Sequence, residues 1–282
     1  MSLFFLTPGR MRSPEWALIP GGSVLRTLLM PTTVAVLGDA AGRLVLVDCG
    51  FSRAEMDATD PDFGSIQRAY FGIQDRGDRS AAALLEAHGW DPDAVTHIIA
   101  THLHVDHIGA YVDFPNAEVL ATAAEYASAR ERGRLAGYHH VRPILRSGRA
   151  RPVTLSGGEH LGFPAHLDVF GDGRILLLDA RGHTAGSVAV LLTDPETGLH
   201  VLMGGDAAYS PDELRLGRKS PLAHLTAFRD DWLRATWGRL HAFEIARDTT
   251  PLVLSHDPEA LARLPGPTRA PRRPVDTHEP VR

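Results

Sequence analysis

A chain of 282 residues, 44% hydrophobic and 22% charged, has the length and composition of a soluble globular protein with one large core or two smaller ones. Its formal net charge of -5 excludes a global basic field that would hold nucleic acid or an anionic membrane surface. A single cysteine, Cys49, excludes an internal disulfide and a thiolate metal cluster, and it fits a reducing cytoplasm.

The N-terminal MSLFFLTPGRMR has a short apolar patch without a basic lead or a long apolar core, so no signal peptide is expected. No stretch approaches the roughly 18 apolar residues of a membrane helix. Strands are predicted for SVLRTLLM (23–30) and TVAVLGD (33–39). A turn-like AAG and a third strand, RLVLVDCG (43–50), follow, and together they read as a hairpin feeding a third strand. Residues 51–78 lack periodicity and read as loop. Phe63, Tyr70, Phe71 and Ile73 load that loop with apolar surface, so it either packs on the core or lines a pocket.

A helix over 79–90 ends near Gly89, and a strand follows over 94–101. Another strand (117–122) leads into a helix rich in Ala, Glu and Arg (123–134). Residues 151–180 read as short strands with a turn at Asp172 and Gly173. The strands 187–194 and 199–206 are joined by PETG, a hairpin signal. Residues 222–247 are mainly helical, 250–257 form a strand, and 258–264 a short helix. From Pro265 the sequence PGPTRAPRRPVDTHEP predicts a disordered or extended tail, leaving 1–264 as a single domain. Two β-rich halves, each with helices, predict an α+β architecture of two mixed sheets packed face to face under outer helices.

The chemistry sits where predicted strands run out. THLHVDH supplies His102, His104, Asp106 and His107 just after the strand 94–101. Asp106 and His107 are adjacent and cannot share one face of a strand, so the segment must turn and its donors converge from several directions. Imidazole nitrogen and carboxylate oxygen suit Zn²⁺, Mn²⁺, Fe or Co. His183, Asp206 and His256 also stand at predicted strand ends, from which ligands reach one edge of a sheet protein.

HLHVDH, then GHT, GD and SHD, resemble the metallo-β-lactamase superfamily over roughly residues 24–264. The resemblance implies an αββα sandwich with an internal pseudo-repeat. It implies a first metal on His102, His104 and His183, and a second on Asp106, His107 and His256. Asp206 would bridge them together with a hydroxide. VDCG (47–50) is similar to the superfamily's early V-D-[ST]-G turn, with Cys49 in the small-residue place and Asp48 behind the ligands. The cofactors implied are two divalent transition-metal ions, zinc foremost.

Within the superfamily the chain resembles the N-acyl-homoserine lactonases, which place a tyrosine three residues after the bridging aspartate, as Tyr209 stands after Asp206. That resemblance implies opening of lactone rings, with Tyr209 donating a hydrogen bond to the carbonyl oxygen. Asp106 would pass a proton to the leaving alkoxide. A small-molecule lactone is then the partner, nucleic acid and membrane are not, and a homodimer built partly on the aromatic loop is expected. Antibiotic-hydrolysing lactamases generally carry cysteine where Asp206 stands, and flavodiiron proteins carry glutamate where His104 stands. A glyoxalase-II-like thioesterase shares all seven ligands and is the main alternative; for its anionic substrate a basic clamp is expected near residues 215–219 or the C-terminus.

Overall fold

The computed structural model describes residues 2–38 and 43–270. Thirteen strands are formed there: β1 (Ser2–Leu6), β2 (Arg10–Pro14), β3 (Thr27–Pro31), β4 (Val34–Gly38), β5 (Leu44–Val47), β6 (Val95–Ile99), β7 (Glu118–Thr122), β8 (Ala150–Val153), β9 (His166–Asp168), β10 (Ile175–Asp179), β11 (Val188–Thr193), β12 (His200–Gly205) and β13 (Leu252–Leu254). The first sheet runs β1-β4-β5-β6-β7-β8 and the second β13-β12-β11-β10-β9, with β2 and β3 a separate ribbon. Both sheets are mixed. β5 to β8 are parallel neighbours, and β12 pairs parallel with β13 but antiparallel with β11.

Alternation along the strands assigns each residue to a layer. Leu3 and Phe5 of β1 pack toward the second sheet, together with Ala35, Leu37, Val47, Ile99 and Leu120. They meet Ile175, Leu177, Val188, Val190, Val201 and Met203 from that sheet. Phe4, Leu6, Val34 and Val36 point the other way, into a layer with Leu85, Tyr126 and Ile144. These last three belong to α1 (Ala81–Ala87), α2 (Ala123–Arg132) and α3 (Val141–Arg146). Leu178, Ala189 and Leu202 face Leu233, Trp237 and Leu240 of the long helix Asp230–Ala246. The result is an αββα sandwich, an α+β fold. Among the described residues no helix is long and apolar enough to cross a membrane.

Two expectations are corrected. The stretch 23–30 does not pair with 33–39: its ordered part, β3, pairs with β2, while β4 pairs with β1 and β5. Val24 and Leu25, read as strand, are exposed. The segment 51–78 is not all loop, since it holds two short helices, Arg53–Met56 and Ser65–Tyr70. The stretch 222–247 is mainly helical as expected, in two helices, Pro221–Thr226 and Asp230–Ala246. The break falls at Phe228, whose N–H donates to the carbonyls of Gly182 (2.9 Å) and His183 (3.0 Å), tertiary acceptors that replace helical ones.

The turn expected at 40–42 lies outside the described residues, as does the tail from residue 271. The start of the tail runs along the body. Pro265 accepts from the N–H of Phe5 (2.9 Å), and Thr268 accepts from the indole of Trp90 (2.8 Å).

Candidate metal centre

Strand ends carry the donors. β6 ends at Ile99; Thr101 and His102 follow, and His104 caps a one-turn helix, Val105–Ile108, that holds Asp106 and His107. That helix separates the adjacent Asp106 and His107 by about 100° around its axis, the turn the sequence required. His183 follows β10, Asp206 follows β12 and His256 follows β13, at the same edge of the second sheet. Gly205, just before Asp206, has φ +59°, and a Cβ there would stand 3.1 Å from the Thr101 Cβ, so the close approach of the two sheets at this edge needs glycine.

All seven predicted donors come together, in two groups: His102, His104 and His183; and Asp106, His107, Asp206 and His256. In the first, His104 Nδ1 is 3.0 Å from His102 Nε2 and 3.1 Å from His183 Nε2. Tetrahedral coordination at Zn–N distances of about 2.0–2.1 Å sets ligand atoms about 3.3 Å apart, close to this spacing. In the second, Asp206 Oδ1 is 3.1 Å from His107 Nε2 and 3.4 Å from His256 Nε2, and Asp106 Oδ2 is 3.6 Å from both imidazoles. The other oxygen of Asp206, Oδ2, is 3.8 Å from His183 Nε2 in the first group. One carboxylate thus faces both groups.

The far nitrogens are anchored. His107 Nδ1 donates to Asp48 Oδ2 (2.8 Å) and His256 Nδ1 donates to the Pro31 carbonyl (2.8 Å), which turns each Nε2 lone pair toward the site. Asp48 is fully buried and also accepts from the N–H and hydroxyl of Thr101, both at 2.8 Å.

Electrostatics separate the groups. Burial pushes His102 well below the ordinary imidazole range, His104 down to about 4 and His183 down to about 3, so all three are neutral donors. Burial also opposes charge on His107 and His256, but the carboxylates of Asp206 and Asp106 outweigh it and raise both. Asp206, despite its burial, is held well below the usual carboxylate range by His107 and His256. His107 Nε2 and Asp206 Oδ1 are buried and find no aligned hydrogen-bond partner, although they stand 3.1 Å apart. Two orphaned polar atoms aimed at a common point, within an N/O donor set, fit a divalent cation.

A cavity of about 940 Å³ opens over both groups, touching His104, Asp106, His183, Asp206, Tyr209 and His256. Met11, Met30, Tyr70, Phe71 and Leu225 give it apolar walls; Arg12, Arg132 and Arg134 add charge. Tyr209 is 8% exposed, its ring stacked at 11° and 6.2 Å from His256. Burial, then Asp206, pushes its phenol well above the ordinary value, so it stays a donor. Its hydroxyl lies 2.9 Å from Thr226 Oγ1, which itself donates to the Leu222 carbonyl (2.9 Å).

The Metallo-beta-lactamase superfamily profile matches residues 28–256. The chain belongs to that superfamily. It is 30% identical over 209 residues to the N-acyl homoserine lactonase AttM of Agrobacterium fabrum, covering 73% of this chain and 75% of that protein. It is also 30% identical over 232 residues to the probable metallo-hydrolase Rv2300c of Mycobacterium tuberculosis, covering 77% and 71%. Among solved structures, an N-acyl homoserine lactone hydrolase with N-hexanoyl-L-homoserine at its catalytic metal centre superposes with a TM-score of 0.69 at 20% identity, covering 91% of this chain and 93% of that one. The dizinc quorum-quenching lactonase AidC superposes at 0.63 with 18% identity, covering 91% and 87%. This superfamily member is thus a metallo-hydrolase whose donor groups suit divalent metal ions.

The loop residues divide. Phe71 and Tyr70 line the cavity, but Phe63 (1% exposed) and Ile73 (2%) are buried within the chain and offer no dimer surface; Tyr70 (80%) remains exposed. The basic clamp that a thioesterase would place near 215–219 is not at the cavity. Arg215 pairs with Glu244 (2.8 Å) and Lys219 with Asp230, because both face the long helix. Sequence reading missed Glu125. Fully buried, it accepts from Leu103 N (3.0 Å), between His102 and His104, and from Gly186 N (3.1 Å), beyond His183. Thr122 caps the same helix by accepting from Glu125 N (3.1 Å), and this T-x-x-E spacing was the signal available in the sequence.

Proposed function

We propose that this chain opens the ester ring of lactones, N-acyl-homoserine lactones foremost, using two divalent metal ions, with zinc the expected metal. The observation that carries this reading is Asp206, whose two oxygens face the two donor groups, with Tyr209 beside them in the same cavity wall. Similarity to AttM over most of both chains supports the substrate class. His102, His104 and His183 would hold one ion, Asp106, His107 and His256 the other, and Asp206 both. Ions so held supply a nucleophile from water at neutral pH and polarise the carbonyl.

The chain's own residues do the rest. Tyr209, kept protonated by burial, donates to the carbonyl oxygen as negative charge grows there. To do so its proton leaves Thr226, which continues to bond the Leu222 carbonyl. Asp106 turns Oδ2 toward His107 and His256, so its Oδ1 is the atom that takes up a proton and returns it to the leaving alkoxide. Apolar walls from Met11, Met30, Phe71 and Leu225 hold an acyl chain.

A substrate panel tests this: N-acyl-homoserine lactones, plain lactones, a glutathione thioester, a phosphodiester and a β-lactam. Lactones should be turned over fastest. A thioester preference of several orders of magnitude would replace this reading by the thioesterase.

A further inference from the structure

We infer that Arg132 forms a subsite for an anionic group, so that the preferred lactone carries a carboxylate on its acyl portion. The inference rests on the lactonase reading and narrows its substrate class. Arg132 ends α2, where the helix carbonyls favour a cation, and its side chain is exposed in the cavity wall. Its guanidinium lies over the Phe228 ring, 5.3 Å from the centroid. Stacking on an aromatic face holds the planar fork in place while its N–H donors stay available.

Phe228 is itself fixed to the metal centre. Its backbone N–H bonds the carbonyls of Gly182 and His183, so the ring beneath Arg132 moves with a donor of the first group. The neighbouring cation, Arg134, is neutralised by Asp62 at 3.0 Å. Among the described residues Arg132 has no ion-pair or hydrogen-bond partner. A pre-positioned guanidinium without an ion-pair partner in the cavity wall, beside the apolar Phe228 ring, fits a bidentate carboxylate.

The test compares two lactones of equal acyl length, N-adipoyl- and N-hexanoyl-homoserine lactone, which differ in a terminal carboxylate against a methyl. In wild type at low salt, kcat/KM should favour the adipoyl compound by about tenfold, the range of a charge-assisted bond in a partly open site. The ratio should fall to near one in Arg132→Gln and shrink with added salt. An equal or lower rate on the adipoyl compound, or a preference that survives in Arg132→Gln, overturns the subsite. A carboxylate that occupies the metal groups instead would slow both proteins alike and also overturns it. Calorimetric binding of the two ring-opened products, N-adipoyl- and N-hexanoyl-homoserine, to wild type and Arg132→Gln repeats the comparison without turnover. A protein that opens neither lactone therefore sinks the lactonase reading, while the binding ratio still decides the subsite.

Discussion

Replacing Asp48 by Asn tests whether one buried carboxylate sets the protonation of His107. Asp48 Oδ1 accepts from the Thr101 N–H, and Oδ2 accepts from both the Thr101 hydroxyl and His107 Nδ1, each at 2.8 Å. The amide can be placed in two ways, and each fails. With Nδ2 at the Oδ1 position it confronts the Thr101 N–H, donor against donor. With Nδ2 at the Oδ2 position it faces His107 Nδ1, which must then give up its proton to Nε2, and a protonated Nε2 is no ligand.

A mismatched buried polar group costs about 1–3 kcal/mol of stability. Loss of an outer hydrogen-bond partner of a ligand weakens metal binding about 10- to 100-fold, or about 1.4–2.8 kcal/mol. The backbone does not confuse the result, because φ at Asp48 is +57° and Asn tolerates the left-handed region, whereas Ala would add strain. Competition with a chromophoric chelator measures the affinity and thermal unfolding the stability. An Asn variant with affinity within about twofold of wild type would refute the argument that Asp48 orients His107.

Tyr209→Phe keeps the ring on His256 and removes only the donor; kcat on lactones should drop about 10- to 100-fold with metal content and folding unchanged. A fully active Phe variant would reduce Tyr209 to packing. His183→Ala deletes one of three donors in the first group and should abolish most activity and lower the metal content in elemental analysis; full turnover would mean the ligand assignment is wrong. The Asp75 carboxyl is held below the usual range by its hydrogen bonds and charge pairing with Arg10. A depressed carboxylate stabilises the fold above its unfolded pKa, and that stabilisation is lost as pH falls through the folded value, below about 4. With Arg10 half exposed, Asp75→Asn should cost under about 1 kcal/mol at pH 7 in denaturant unfolding, and the difference from wild type should shrink as pH falls below the ordinary carboxylate range.

The candidate metal centre was legible because its first four donors lie within six positions and the others each end a strand with a clear apolar run. The first strand was not. Leu3, Phe4, Phe5 and Leu6 are all buried, since β1 is covered on both faces, and a strand without a polar face shows no alternation. The helices of 51–78 span only four and six residues, too few to show a helical period. The Glu55 and His140 side chains, 2.6 Å apart and buried, are separated by 85 positions, and nothing local announces such a pairing. The ion pairs of Arg215 with Glu244 and of Lys219 with Asp230, on a different helix, are likewise not announced by any local pattern.

In the proposed mechanism two ions act together through Asp206. The direct test is to strip the protein with a chelator and return a divalent ion, zinc first, while following opening of N-hexanoyl-homoserine lactone. Activity should be absent without metal and should rise to a plateau at two ions per chain. Full activity in the stripped protein, or a plateau at a single ion, would contradict it.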